Sequence, residues 1–248
     1  MNKILLAAAA SLLLSACATQ LPQTPPSGIA GNVNASAPKA GGTWRYAVSD
    51  GFTRLSRGNV EYRITDVLSD SMTVDVKGFD GERTETYTHG WNWLVRPATN
   101  LQTFVYKPAY QALPFPISAG QTWKHSGTAT DPATGKSFPV RIDGEVLGWE
   151  KVRVPAGEFD AVKMRRIVYL DYFEQGVRGQ SWIIETDWYA PAVGQIARRE
   201  TTSRYWRLAS LQPQYRFVRV GDDPSDGDIL PRFEQDDWLV YELASYSR

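Results

Sequence analysis

The 248-residue chain has one cysteine and two histidines. A single thiol excludes an intrachain disulfide framework and a cysteine-rich zinc site, and two imidazoles leave little for a histidine-based metal centre or a catalytic triad. Net charge is missing too, since 27 Lys and Arg balance 27 Asp and Glu. Attraction to a phosphate backbone therefore does not organise the chain, and no nucleic-acid partner is expected. The apolar run Ile4 to Leu14 falls short of the about 20 residues a bilayer-spanning helix needs. A sustained 3.6-residue apolar period is also lacking, which leaves room for only a few short helices, near Tyr106–Leu113 and Pro231–Asp236. With 42% hydrophobic and 22% charged residues, the composition is that of an ordinary globular protein rather than a disordered one.

The amino end reads as targeting information. Met1-Asn2-Lys3 supplies a short positive start, Ile4 to Leu14 an apolar core, and residues 1–16 together a signal peptide. Leu14-Ser15-Ala16-Cys17 resembles the bacterial lipobox, in which a Leu and two small residues precede an acylated cysteine. The resemblance implies that Cys17 becomes the mature N-terminus, carries palmitate-type chains and makes the membrane a partner through its anchor. Each buried CH₂ contributes about 0.8 kcal/mol, and stable anchoring takes more than one chain, a condition a triacylated cysteine meets. Ala18 rather than Asp follows the cysteine; by the sorting rule for such lipoproteins, this implies the outer membrane, facing the periplasm. Residues 17–41 carry Pro22, Pro25, Pro26 and Pro38 with the single charge Lys39, and read as a disordered tether. As a flexible coil it would span roughly 25–30 Å. Ser36-Ala37-Pro38-Lys39 matches the S-x-x-K spelling of penicillin-recognising enzymes by coincidence, with no S-D-N or K-T-G partner.

From residue 42 to 248 the strongest period is two. Val60, Tyr62 and Ile64 alternate with Glu61, Arg63 and Thr65; Met72, Val74 and Val76 alternate with Thr73 and Asp75. Trp182, Ile184, Thr186 and Trp188 alternate with Ile183, Glu185, Asp187 and Tyr189. Half-buried antiparallel strands account for this pattern. Turn residues punctuate it at Ser49-Asp50-Gly51, Asp80-Gly81, Asp131–Gly135, Pro155-Ala156-Gly157 and Pro191–Gly194. The expected fold is all-β, an antiparallel twisted sheet forming a partial barrel or sandwich. Gly42-Thr43-Trp44 and Gly120-Gln121-Thr122-Trp123 open similarly, so the single β domain is open to division into two related halves, 42–118 and 119–248.

Val154-Pro155-Ala156-Gly157-Glu158-Phe159 and Trp188-Tyr189-Ala190-Pro191-Ala192-Val193-Gly194, with Gly120-Gln121-Thr122-Trp123, form a further pattern. Residues 119–200 thereby resemble a group of uncharacterised bacterial envelope β-proteins. The resemblance implies a twisted sheet or partial barrel and carries over no catalytic residue, because the shared positions are turn glycines, prolines and core aromatics.

Candidate chemistry is sparse. Trp91 and Trp93 flank Asn92 and could stack a sugar ring as a ligand-binding pair; the same residues serve equally as core filling, which the spread of nine tryptophans favours. Asp222, Asp226 and Asp228 suggest a weak calcium loop, but Pro224 and Phe233 occupy ligand positions, so a solvated turn is the simpler reading and no metal is expected. His89 and His125 form no triad, and no G-x-S-x-G elbow exists. Asp236-Asp237 could supply glycosidase carboxylates only together with distant segments. Arg198, Arg199, Arg204, Arg207 and Arg216 beside Tyr205 and Trp206 suggest an anionic partner or, more simply, a mixed solvated face. The expected role is non-catalytic and without a cofactor: an outer-membrane binding or envelope-assembly module whose partner is an envelope protein, a glycan or a lipid. A lipid carrier with a barrel cavity is the alternative, and a cell-wall glycan hydrolase a weaker one.

Overall fold

The computed structural model describes residues 21–98, 102–172, 178–207 and 232–248. Cys17 and the Asp222, Asp226 and Asp228 loop lie outside them. The first strands are β1 (Thr43–Asp50), β2 (Ser56–Val67), β3 (Ser71–Gly78), β4 (Gly81–Thr88), β5 (Trp93–Pro97) and β6 (Thr103–Tyr110). They are followed by β7 (Thr122–Thr130), β8 (Ser137–Val154), β9 (Gly157–Leu170), β10 (Arg178–Ala190), β11 (Gln195–Arg207), β12 (Arg232–Gln235) and β13 (Leu239–Ser247).

Each strand from β1 to β11 pairs antiparallel with its neighbour in sequence, and β13 lies between β1 and β11. The sheet therefore closes on itself as a 12-strand barrel. β12 continues the edge taken by β13, pairing with Arg204–Arg207 of β11. The all-β, antiparallel expectation holds, but the barrel is closed rather than partial, and it is not a sandwich. Closure comes from a late strand: Thr43 to Asp50 pair with residues 239–247, a contact between chain ends that strand periodicity does not encode. The expected helical turns are also corrected. Thr103–Tyr110 is strand β6, Arg232–Gln235 is strand β12, and no helix occurs among the described residues.

Local chemistry sets the hairpins. Phe79-Asp80 and Pro155-Ala156 are two-residue connections, each followed by a glycine in the left-handed half of backbone space, Gly81 at φ 116° and Gly157 at φ 136°. The Asp131 turn is capped by its own carboxylate, which accepts from Ala133 N at 2.8 Å and Thr134 Oγ1 at 2.7 Å.

Alternation sorts the two faces of the barrel. Val48, Val60, Ile64, Met72, Val74, Val76, Phe104 and Ile142 are buried, while Arg45, Arg63, Thr65, Lys77, Arg141 and Arg165 are exposed. An outward face of this charge is the reverse of a lipid-facing barrel, so these strands stand in water. On β10 the buried inward set is Ile183, Glu185, Asp187 and Tyr189, while Ile184 and Trp182 are only partly buried. The more polar of the two alternating sets thus faces inside.

One end of the barrel is plugged. The connection from β6 to β7 folds Ala112, Leu113 and Ile117 into the core, and Val33 bridges to Ile117 through paired backbone bonds of 2.9 and 2.8 Å. Residues 21–41, read from sequence as part of a free tether, are instead laid on the barrel. Trp149 N donates to Pro22 O at 2.8 Å, and Gly41 N donates to Ile64 O at 2.8 Å. The tip of the β8–β9 hairpin also reaches β13, where Ala156 N donates to Leu243 O at 2.9 Å.

Candidate functional site

The interior of this barrel is an aromatic cage around a charged network. Tyr46 on β1, Tyr62 on β2, Tyr87 on β4, Trp93 on β5, Tyr106 and Tyr110 on β6, and Tyr241 on β13 all sit at inward positions of their strands. Trp93 stacks on Tyr110 with ring centres 3.8 Å apart and planes 3° from parallel, and the Arg96 guanidinium lies 3.9 Å from the centre of the Trp93 ring. Trp91 occupies the turn before β5 at φ 61° and meets Trp44 and Tyr87 edge-on. The two tryptophans singled out from sequence therefore come together, but inside. They are 7% and 3% exposed, so they line the lumen instead of forming a surface platform. Asn92 between them accepts a bond from Leu113 N at 2.9 Å, tying the plug to the cage.

Strand register brings the charges together. Arg166 of β9 stands opposite Glu185 of β10, and Asp187 of β10 stands opposite Arg199 of β11. The Arg166 Nη2–Glu185 Oε2 separation is 2.5 Å, and Arg166 Nη1 donates to Asp187 Oδ2 at 2.7 Å. Arg199 grips the same carboxylate with both ends of its fork, Nε to Oδ1 at 2.6 Å and Nη2 to Oδ2 at 3.0 Å. A second cluster lies on β4 and β5: Arg83 Nε donates to Glu85 Oε1 at 2.6 Å, the Tyr87 hydroxyl donates to Glu85 Oε2, and Arg96 Nε lies 3.6 Å from that oxygen.

Burial tends to raise the Asp187 carboxyl, but the Arg199 and Arg166 guanidiniums outweigh it and bring the group down to about 2. Burial likewise works against the Glu85 anion, and Arg96, Arg83 and the Tyr87 hydroxyl together keep it below the ordinary carboxylate value. Desolvation lifts the phenols of Tyr46, Tyr87 and Tyr110 well above theirs, so at neutral pH they are neutral hydrogen-bonding groups.

Two cavities occupy the interior. One of about 40 Å³ lies towards the plugged end among Trp91, Leu113 and Ile196. The other, about 150 Å³, lies towards the opposite end, bounded by Phe79, Asp80, Pro97, Asp236, Asp237 and Leu239. Both are lined by Tyr62, Trp93, Arg96, Arg199 and Tyr241. The arrangement can hold a small polar molecule between cations, neutral phenols and an indole face.

The other residues noted in the sequence do not converge. His89 Nε2 lies 2.9 Å from Leu68 O in a turn, and His125 sits on β7 with its imidazole pKa lowered by burial. Alternation splits the Arg198-Arg199 pair. Arg199 points inward, whereas Arg198 bonds Glu200 at 2.7 Å and lies over Trp188. Asp237 pairs with Arg57 at 3.3 Å and Asp236 accepts from Ser203 at the barrel mouth. Among the described residues no group of three or more His, Cys, Asp or Glu side chains is placed to hold a metal ion. Sequence reasoning missed Arg96, Arg166, Glu185, Asp187 and Glu85. The available signal was parity: Arg166 shares its face with Met164 and Val168, and Glu185 and Asp187 share theirs with Ile183 and Tyr189.

No protein-family model and no curated protein matches the chain. Several solved structures resemble it in overall form. A candidate lipoprotein from Parabacteroides distasonis ATCC 8503 is 14% identical, with 87% of this chain and 99% of that one covered and a TM-score of 0.48. A candidate exported protein with a YmcC-like fold from Bacteroides fragilis NCTC 9343 is 10% identical over 87% and 100%, with a TM-score of 0.46. The hypothetical lipoprotein YmcC from Escherichia coli K12 is 10% identical over 84% and 85%, with a TM-score of 0.43. No residue role is carried from them to this chain.

Proposed function

We propose that the chain is a lipid-anchored, non-catalytic binding module of the outer membrane, facing the periplasm, which takes a small ligand into the barrel lumen. The observation that carries this reading is the polar cavity at the end of the barrel opposite the plug, lined by Arg96, Arg199, Tyr62 and Tyr241. The Leu14–Cys17 lipobox and Ala18 support the anchoring and the membrane. A lipid carrier is disfavoured on physical grounds, because about 150 Å³ is below the several hundred Å³ of ordinary ligand pockets and the walls carry ionised groups. A hydrolase is disfavoured because Glu85, Glu185 and Asp187 are each engaged by an arginine at 2.5–2.7 Å, leaving no evident proton donor among them.

A second reading, a docking module for an envelope protein, is favoured by Phe52 and Leu55, which are 59% and 68% exposed in the β1–β2 connection. The test is native mass spectrometry of protein extracted gently from its own membranes, with Cys17→Ala as the unlipidated control. The lumen reading expects an acyl mass on the wild type and a bound small molecule in both forms. A co-purifying protein selects the docking reading, and a wild type without acyl mass overturns the anchor.

A further inference from the structure

Two residues in the wall of the larger cavity each bury a polar atom with no hydrogen-bond partner among the described residues: Arg96 Nε and Thr201 Oγ1. Unpaired buried polar groups are rare because each loses its hydration without compensation. Arg96 Nε makes no hydrogen bond among the described residues, and the carboxylate atom nearest to it, Glu85 Oε2, stands 3.6 Å away as an ion-pair partner. Arg199 lines the same space, with Nε and Nη2 committed to Asp187 and Nη1 unassigned. The two guanidiniums repel each other across the cavity. Together they form the cationic side of a floor that also holds Glu185, whose carboxylate is already paired with Arg166 at 2.5 Å, and the phenols of Tyr62 and Tyr241 wall it.

The mouth has the opposite character. Asp80, Asp236 and Asp237 bound it, with Arg83 on Asp80 and Arg57 on Asp237 as cationic partners. A dianion such as phosphate would be repelled on entry, whereas a molecule with a carboxylate at one end and an ammonium at the other matches both regions. The size of the cavity suits an amino acid or a very short peptide.

We propose that the larger cavity binds a small zwitterion of the amino-acid class, its carboxylate held between Arg96 and Arg199 and its ammonium directed to the aspartates at the mouth. This rests on the binding-module reading and names the ligand chemistry of that site.

The test is isothermal titration calorimetry of the full chain with four probes: glycine, glycylglycine, acetate and inorganic phosphate. The expected result is saturable binding of glycine or glycylglycine, tighter than acetate or phosphate. Arg96→Met, which keeps an apolar stem of similar length and removes the guanidinium over Trp93, weakens it by about tenfold or more. Asp237→Asn weakens the zwitterion while leaving acetate unchanged. Near-UV circular dichroism confirms that each variant is folded, and Arg96→Lys retains part of the affinity if charge is what the site uses. Phosphate as the preferred probe, or Arg96→Met binding as the wild type does, overturns the assignment. If none of the four probes binds while native mass spectrometry still finds a bound small molecule, the zwitterion assignment fails and the binding-module reading stands. If both come up empty, both fail.

Discussion

An Arg166→Met substitution keeps most of the aliphatic stem of the side chain and deletes its charge. Arg166 is fully buried and holds Glu185, Asp187 and the carbonyl of Ala112, the last at 3.1 Å. Without it, Asp187 retains Arg199, but among the described residues Glu185 keeps only the Tyr110 hydroxyl, at 2.9 Å. Breaking a buried ion pair by removing one partner typically costs about 3–5 kcal/mol, because the remaining charge stays desolvated. For a domain of this size that corresponds to a fall in Tm of roughly 6–20 °C. Arg165→Met is the matched control: the neighbouring residue is 51% exposed and pairs with Glu145 at 2.8 Å on the outer face. Its expected cost is below about 1 kcal/mol. Thermal and urea unfolding followed by circular dichroism measures both, and Glu185→Gln added to Arg166→Met should recover part of the loss. Equal stabilities for the Arg166→Met and Arg165→Met proteins would refute the buried network.

The remaining predictions concern acid, packing and the amino-terminal strap. Because the folded Asp187 carboxyl sits at about 2, against an ordinary 3.8, its contribution is complete above the ordinary value. That contribution, on the order of 2–3 kcal/mol, is lost as pH falls from near 4 through 2, and Asp187→Asn should flatten this limb of a stability–pH profile. Gly144→Ala places a Cβ 2.3 Å from the Trp123 ring, so it should destabilise by about 1–3 kcal/mol in urea unfolding. The loss should shrink in a Trp123→Leu background. Val33→Asp puts a charge at a position only 6% exposed against Ile117, and should make residues 21–41 cleavable by a protease that spares the wild type.

Much of the barrel wall was legible because its cause is local. Val60-Tyr62-Ile64 and Met72-Val74-Val76 alternate as half-buried strands must, and the turns at Asp80-Gly81 and Pro155–Gly157 follow from backbone geometry that few other residues adopt. Closure was not legible, since it depends on β13 returning to β1, and nothing in residues 239–247 alone names that partner. The lumen was not legible for a different reason. On β10 the Trp182–Trp188 set looks more apolar than the Ile183–Tyr189 set, yet Glu185 and Asp187 face inward because arginines on β9 and β11 neutralise them across the strands. Trp188 outside is covered instead by Lys163 and Arg198. Composition shows such charges only as part of a balanced total, and three-dimensional register is what turns them into one site. The tether misled because its prolines speak for an extended chain without saying what that chain lies against.

Access to the lumen is the claim on which the account turns, and the single native cysteine makes it measurable. In a Cys17→Ala background, Thr201→Cys places a thiol in the wall of the larger cavity, and Ala112→Cys places one in the plug. The reagents are small methanethiosulfonates, one anionic and one cationic, applied under native conditions. The account predicts that Thr201→Cys reacts while folded, faster with the anionic reagent because Arg96 and Arg199 line the space, and that Ala112→Cys stays protected. A Thr201→Cys thiol that reacts only after unfolding would contradict it.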